Sequence, residues 1–356
     1  MRTGALIGVH SDGRVHACYE PIRKAISADA GWFLLPVRTP EIWIAGSKWS
    51  FPGLRQIMHV MTHALLVMRL LRLGRRHVFV REFITVPLLL VFPIIWFKRS
   101  NVIFLNHHNF QFAQQRWVDR VALRWLLRFG AKIAVEELSL LPLIGATGAV
   151  ADIVVPFPIA VGVKRRREMD VVGRRFQVGV VTSFRREQRA EELIDSLAQA
   201  QLGTPRSWKL VVASHYHAPL AAVGRTGTEV RPLTTDDDYW LALAEFDVVV
   251  FYYEREAYEY RASGIIADAI ACGVPVLCPN YPVLAHQVHW PSKIGLVYDV
   301  LSQLPDLIEA ISRWPRSAIE AASRQHRNCR GEKAYGQILA ALKNGTEGDL
   351  CRTALT

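Results

Sequence analysis

FDVVVFYYEREAYEYRASGIIADAIACGVPVLCPNYPVL, residues Phe246 to Leu284, decides the fold, because it reads as strand, loop, helix, tight turn and strand in succession. Behind Asp247, the apolar run Val248 to Tyr252 has the length and β-branched content of a strand buried in a parallel sheet. A polar, aromatic and charged loop comes next, Tyr253 to Arg261. A short helix is expected over Ser263 to Ala271, with Ser263 placed to cap it and Gly273 placed to stop it. Val274-Pro275-Val276-Leu277 is the next strand. In an open α/β sheet the carboxyl ends of the strands face the binding crevice. The loop, which carries Glu254, Arg255, Glu256, Tyr258, Glu259, Tyr260 and Arg261, and the amino end of its helix therefore point at whatever is bound.

An acidic, aromatic loop, small residues, an acid and then Ala-x-Ala-Cys-Gly-x-Pro-Val resembles the donor-site signature of GT-B glycosyltransferases, in particular the large retaining group that uses nucleotide sugars. The resemblance covers roughly residues 176 to 300. It implies two Rossmann-like doubly wound domains facing each other, with the sugar donor held by the second. In that family two glutamates eight residues apart frame the helix, the second holding the ribose hydroxyls and the first lying near the sugar. Asp268 matches the second; the first falls on Tyr260, with Glu259 beside it. The variant Tyr-x-Tyr-Arg-x-Ser-Gly, with the acid five residues after the Ser, also resembles a subset used in polysaccharide assembly.

The chain has 356 residues, 51% of them hydrophobic, enough for two ordinary cores. The expected division is residues 1–160 as an acceptor-binding domain, 161–175 as a basic linker around Lys164 to Arg167, and 176–330 as the nucleotide-sugar-binding domain. A helix over 331–345 is expected to cross back to the first domain, and 346–356 is a tail. Cys18, Cys272, Cys278, Cys329 and Cys351 form no CxxC pair and no even framework, which favours reduced thiols in a cytoplasm. The first residues lack the apolar core of a signal peptide. The most apolar window, Ile84 to Phe97, is broken by Pro87 and Pro93 and is too short to span a bilayer. The net charge of +11 suits a solvated surface, an anionic membrane or a phosphorylated substrate. No nucleic-acid-binding motif or Cys/His finger accompanies it.

In the first half, Ala5 to His10 reads as a strand ending in a Ser11-Asp12-Gly13 loop, so Asp12 either faces an acceptor or simply makes a turn. Leu54 to Arg76 has helical periodicity. Arg55, Gln56, His59, Thr62, His63 and Arg69 lie on one arc; Ile57, Met58, Met61, Leu65, Met68 and Leu71 lie on the other, which is expected to be the packed side, while the basic arc could instead lie on anionic lipid. Val86 to Trp96 is expected as a buried helix. Val102 to Leu105 is a strand that ends in Asn106-His107-His108-Asn109. His107 and His108, at a strand's carboxyl end, suit proton transfer or an acceptor hydroxyl, or else a hydrogen-bonded loop. The helix Trp117 to Arg128 carries Arg116, Arg120, Arg124 and Arg128 at four-residue spacing, a solvated stripe that adds to the basic, Trp-bearing character of this half.

The second half opens on the strand Phe176 to Thr182 and a loop, Ser183 to Arg189, leading into the helix Glu191 to Gln201. Basic side chains and free N–H groups at a helix amino end suit a diphosphate. The resemblance places an arginine and a lysine here. Gln188 stands where that lysine falls, so Arg185, Arg186 or Arg189 supplies the charge. The next strand ends in Ser214-His215-Tyr216. Asp236-Asp237-Asp238 invites a metal reading, yet Thr and Asp just before an apolar-periodic run are ordinary helix caps.

Together these residues imply a metal-independent hexosyltransferase that moves sugar from a nucleotide-sugar substrate to a glycan or lipid-linked acceptor, in surface polysaccharide synthesis, with no cofactor. Arg185, Arg186, Arg189, Ser214, Tyr260, Arg261, Ser263, Gly264 and Asp268 are the donor-binding candidates. Asp12, His107, His108 and Glu259 are the catalytic ones. The expected location is the cytoplasm, peripheral on the inner face of a membrane. The rivals are a nucleotide-sugar epimerase of the same architecture and a catalytically silent nucleotide-sugar-binding protein.

Overall fold

The computed structural model describes residues 24–25, 32–35, 43–44, 47–48, 60–61, 63–65, 68, 71, 77–80, 83–98, 102–106, 109–135, 140, 155–160, 175–203, 208–224 and 228–344. The chain divides into two compact units, one of residues Met1–Phe157 with Glu332–Thr356 and the other of Pro158–Gly331. Expectations for Asp12, His107, His108 and the basic stretch 161–174 lie outside the described residues.

The first unit contains β1 (Trp32–Leu35), the short antiparallel pair β2 (Trp43–Ile44) and β3 (Ser47–Lys48), then β4 (His77–Val80), α1 (Thr85–Ile95), β5 (Val102–Asn106), α2 (Asn109–Gln115), α3 (Trp117–Arg128) and β6 (Lys132–Val135). Four parallel strands pair in the order β1-β4-β5-β6. Each of the crossovers β4-α1-β5 and β5-α2-α3-β6 steps the same way across the sheet, so right-handed connections lay α1 and α3 side by side on one face. Val78, Val80, Phe104 and Ile133 of the strands and Leu88, Phe92, Leu123 and Leu126 of the helices are all buried, and Phe104 sits edge-on to Phe83 and Phe92.

Two expectations change here. Among the helical residues between 60 and 71, Met61, Leu65, Met68 and Leu71 are exposed, while His63 is fully buried and its Nε2 accepts the Ile84 N–H at 3.0 Å. The described residues of the apolar arc thus face outward. The helix α1 is buried only on one side: Leu88, Val91 and Phe92 point to the sheet, and Leu90 and Ile94 point away from it.

The second unit runs β7 (Phe176–Val181), α4 (Ala190–Gly203), β8 (Trp208–Ser214), α5 (His217–Gly224), β9 (Glu229–Pro232), α6 (Asp236–Glu245), β10 (Val248–Val250), α7 (Arg255–Tyr258), α8 (Gly264–Cys272), β11 (Val276–Pro279), α9 (Pro282–His289), β12 (Gly295–Tyr298), α10 (Leu304–Ser312) and α11 (Arg316–Arg330). After it, α12 (Glu332–Asn344) belongs to the first unit, where Tyr335, Ile338 and Leu339 are buried and the Tyr335 hydroxyl donates to the Pro156 carbonyl.

All six strands of the second unit are parallel, in the order β12-β11-β10-β7-β8-β9. The chain builds outward from β7 to β9, then returns to the other side of β7 and builds outward again. That reversal between β7 and β10 is the topological switch point at which doubly wound sheets open a crevice beyond the strand ends. One face of the sheet packs Val178, Val180, Leu210, Val212, Val248 and Val250 against α4, α5 and α10. The other face carries α6, α8, α9 and α11, with α8 against the other three. The close pairing of β7 and α6's end requires Gly179, since a Cβ there would lie 2.3 Å from the Phe246 ring. Asp247, buried ahead of β10, accepts the Gln177 N–H through Oδ2 at 2.6 Å and ties the start of β10 to β7.

Candidate functional site

Two loops frame the crevice at the switch point, one leaving β7 and the other leaving β10. After β7 the chain makes a short 3-10 turn over Arg186–Gln188, bounded by Phe184 at φ 51° and Arg189 at φ 41°. Left-handed backbone in two non-glycine residues is unfavourable and persists only where neighbours over-determine it. Gln188 does so here. Its buried Oε1 accepts from the Thr182 hydroxyl (3.1 Å), the Ser183 N–H (2.9 Å) and the Ser183 hydroxyl (2.8 Å). Gln188 is therefore a staple that shapes the turn, turned inward and away from any phosphate role, while Arg185, Arg186 and Arg189 are left on the exposed side.

After β10 the loop is built on tyrosines. Tyr253 stacks between Phe251 (5.9 Å, 4°) and Tyr258 (4.0 Å, 16°). The Tyr281 hydroxyl donates to the Tyr253 carbonyl at 2.8 Å, and the Tyr298 hydroxyl donates to that of Phe251. Burial raises the hydroxyl pKa of Tyr253, Tyr258, Tyr260 and Tyr281, the last to about 12, so these phenols stay neutral donors at any physiological pH.

The two loops meet. The Glu254 N–H donates to the Glu187 carbonyl at 2.8 Å. Arg189 lies over the Tyr252 ring at 5.2 Å, hydrogen-bonds its hydroxyl at 3.3 Å and pairs with Glu192. Arg261 lies over the Tyr258 ring at 4.8 Å, with its Nε buried and without a hydrogen-bond partner. The charges of Arg261 and Arg185 both act on the Tyr258 hydroxyl, pulling its pKa down against the larger effect of burial. Two of the predicted cationic residues, Arg189 and Arg261, thus lie over Tyr252 and Tyr258, and the charge of a third, Arg185, is felt at the Tyr258 hydroxyl.

Two residues beyond Arg261 the helix α8 begins. Ser263 caps it, its Oγ facing the Ile266 N–H and bonded to the Tyr253 hydroxyl at 2.8 Å. Its backbone is clamped by fully buried Gln287, whose Oε1 accepts the Ser263 N–H (3.0 Å) and whose Nε2 donates to the Ser263 carbonyl (2.8 Å). The N–H groups of Gly264 and Ile265 are the next donors, and a helix has no internal acceptor for them. At the other end Gly273, at φ 77°, closes the helix with N–H bonds from Gly273 to Ile270 and from Val274 to Ala269.

Asp268, one turn into α8, is not joined to the arginines. It is buried, and its Oδ2 accepts from the Tyr239 hydroxyl of α6 at 2.7 Å; its Oδ1 is buried with no hydrogen-bond partner. Desolvation pushes its carboxyl up to about 7, against the lowering hydrogen bond from Tyr239. Tyr239 in turn stacks on His215 (6.3 Å, 26°), whose Nδ1 is 2.8 Å from the Leu233 carbonyl at the end of β9. Ser214 is buried beside it, with its Oγ accepting the Tyr216 N–H at 3.0 Å. The site therefore has two parts: a cationic one of Arg185, Arg189, Arg261 and the start of α8, and a hydrogen-bonding one of Asp268, Tyr239, His215 and Ser214.

The remaining candidates stand apart from these. Glu259 pairs with Arg255 at 2.8 Å at the end of α7, and Tyr260 is half-buried beside it. Arg186 is exposed. The aspartate triplet makes a cap: Thr235 Oγ1 accepts the Asp238 N–H at 3.1 Å and Asp238 accepts the Thr235 N–H at 2.8 Å. Hydrogen bonds from Thr234 and Thr235 hold the Asp238 carboxyl down at about 2. Among the described residues no group of three His, Cys, Asp or Glu side chains is arranged to hold a metal ion. Sequence reasoning missed Tyr239, Tyr252 and Gln287 as parts of the site. Only the aromatic content of the loop hinted at Tyr252, and nothing local marks the other two.

The chain matches no family model and no curated protein by sequence. By structure it is similar to Anabaena Alr3699/HepE in complex with UDP and glucose, at TM-score 0.61 and 15% identity, over 93% of this chain and 95% of that one. It is also similar to a putative UDP-N-acetylglucosamine 2-epimerase from Listeria monocytogenes, at TM-score 0.59 and 12% identity, over 94% of each chain. TarM is a third, at TM-score 0.55 and 12% identity, over 79% of this chain. The chain spans 58% of the length of TarM and 61% of the matched chain of the GtfA/B complex. These likenesses, with the two parallel sheets, establish the GT-B fold.

Proposed function

We propose that this chain is a glycosyltransferase that binds a nucleotide sugar at the switch point of its second unit and transfers the sugar to a hydroxyl of a glycan or lipid-linked acceptor. The observations that carry this reading are Arg189 and Arg261 lying over Tyr252 and Tyr258 next to the start of α8 and, one turn into that helix, a buried Asp268 oxygen that has no hydrogen-bond partner. A diphosphate suits the first: Arg185, Arg189 and Arg261 supply charge, and the Gly264 and Ile265 N–H groups supply donors at a helix amino end. A ribose hydroxyl suits the second, donating to Asp268 Oδ1, with Tyr239 holding the other oxygen in place. The stacked His215 and Tyr239 rings lie beside that position. The Anabaena neighbour's complex with UDP and glucose supports a uridine-linked donor, and neighbours of the same fold named as glycosyltransferases support transfer.

Transfer needs an acceptor hydroxyl to lose its proton while the leaving diphosphate gains charge. The arginines and the α8 amino end stabilise that charge without a metal ion. His107, His108 and Asp12 are our candidates for the proton acceptor in an inverting reaction; Glu259 and Tyr260 are those for the sugar side. A cytoplasmic role in surface polysaccharide synthesis accords with the same reading.

The test is to incubate the full chain with UDP- and GDP-linked hexoses, with and without oligosaccharide or polyprenyl acceptors, and to measure nucleoside diphosphate release and product sugars. Acceptor-dependent release that is lost in Asp268→Ala supports the proposal. Acceptor-independent interconversion of two sugar nucleotides would replace it with the epimerase reading, and binding without turnover would replace it with a silent carrier.

A further inference from the structure

The helix α3 divides cleanly. Asp119, Ala122, Leu123, Leu126 and Leu127 are buried, while Trp117, Val121, Trp125 and Phe129 succeed one another at four-residue spacing and are exposed by 73%, 39%, 45% and 38%. Four-residue spacing puts these side chains in one row along the helix. On the neighbouring helix α1 and its continuation, Leu90, Ile94 and Phe97 are exposed by 63%, 56% and 64%. The two helices pack together, and the Trp96 Nε1–H donates to the Phe129 carbonyl at 3.0 Å, joining their ends. Because both lie on the same face of the sheet, the two rows point the same way, outward. An apolar, aromatic surface of this extent on adjacent helices is unusual for a face that meets only water.

The charge on this face has one sign. From Phe83 to Gly130 the sequence holds a single carboxylate, Asp119, and it is buried at 4% exposure with Arg116 Nε 3.0 Å away. Arg120 is occupied by the Ala113 and Gln114 carbonyls at 2.9 Å each. Arg124 and Arg128 are exposed alongside the aromatic row, Arg128 lying over the Trp125 ring at 5.7 Å. Indole rings flanked by guanidinium groups match the headgroup layer of a bilayer, where the ring body enters the acyl boundary and the cation meets phosphate. The exposed row Met61, Leu65, Met68 and Leu71, tied to the start of α1 through His63, adds further apolar surface to the same unit.

We propose that the outward face of α1 and α3 docks this protein on an anionic lipid bilayer, with Trp117 and Trp125 inserted at headgroup depth and Arg124 and Arg128 on lipid phosphates. No helix among the described residues is long and apolar enough to cross a membrane. The proposal does not rest on the transferase reading, since it concerns residues of the first unit and needs no donor.

Flotation of the full chain with phosphatidylcholine vesicles containing or lacking phosphatidylglycerol, at low and high salt, tests it. The wild type floats with the anionic vesicles, and its binding weakens at high salt. Trp117→Ser with Trp125→Ser lowers the partition coefficient at least tenfold. Arg124→Glu with Arg128→Glu removes the preference for phosphatidylglycerol. Both double variants keep a cooperative unfolding transition, so a loss of binding is not a loss of the fold. Wild-type protein that stays with the unbound fraction, or tryptophan variants that float as well as wild type, overturns the proposal. So does a concentration-dependent dimer in sedimentation that the tryptophan substitutions abolish, which would make the face a contact between copies of the chain.

Discussion

Replacing Asp268 by Asn should change the shape of the stability-versus-pH curve, and the size of the change is set by its surroundings. Its carboxyl is buried at about 7 in the folded chain against 3.8 ordinarily. A raised acid binds a proton more tightly in the folded state, so stability falls as pH rises between those two values, by about 4 kcal/mol in all, rather more than half of it between pH 5 and pH 8. His326 acts the other way. Burial, with Arg330 nearby, lowers its imidazole to about 3, so stability is lost as pH falls below its ordinary 6.5, by about 2 kcal/mol at pH 5. In the wild type the two nearly cancel between pH 5 and pH 8. Asp268→Asn removes one of them. The variant should lose about 2 kcal/mol on going from pH 8 to pH 5, where the wild type stays almost level. An amide N–H left without an acceptor shifts the whole variant curve down by about 1–3 kcal/mol but does not tilt it. Urea unfolding of both proteins at pH 5, 6.5 and 8 measures the difference. Parallel curves would refute the reasoning, because they would mean that the Asp268 carboxylate is solvated or already paired.

Gln188→Lys, which restores the residue type the family resemblance calls for, should destabilise the turn by about 1–3 kcal/mol and weaken nucleotide binding, since Thr182 and Ser183 lose their acceptor. Tighter UDP binding by that variant would contradict the staple role. Gly179→Ala forces a Cβ against the Phe246 ring at 2.3 Å and should cost about 1–3 kcal/mol in thermal or urea unfolding, recovered in part by adding Phe246→Leu. A neutral effect would mean that β7 and the end of α6 have room to part.

How far the residues alone foretell this depends on how local the deciding interaction is. The strand, helix and strand of Phe246 to Leu284 are readable because Ser263 and Gly273 bracket an apolar run and act within a few positions of it. The Asp236-Asp237-Asp238 cap is readable for the same reason, as the whole box lies within five residues. The helical stretch around His63 reads inside out. Periodicity separates two arcs but does not say which one packs, and here the deciding bond reaches Ile84, 21 residues away. The helix α1, apolar enough to suggest burial all round, buries only the side that meets the sheet. Within the site, the gathering of Arg185, Arg189 and Arg261 depends on β7 and β10 being neighbours, which is a matter of strand order. Tyr239 reaches Asp268 across 29 residues, and Gln287 reaches Ser263 across 24. Neither contact leaves a pattern in the chain.

Calorimetric titration of nucleoside diphosphates into the full chain tests the central claim most directly. The account predicts that at least one, UDP first, binds the wild type with a defined stoichiometry of one per chain. Arg189→Ala should weaken it about tenfold through the lost charge-assisted contact, and Asp268→Ala by a similar factor through the lost ribose acceptor. Absence of binding by every nucleoside diphosphate, or binding that neither substitution changes, would contradict it.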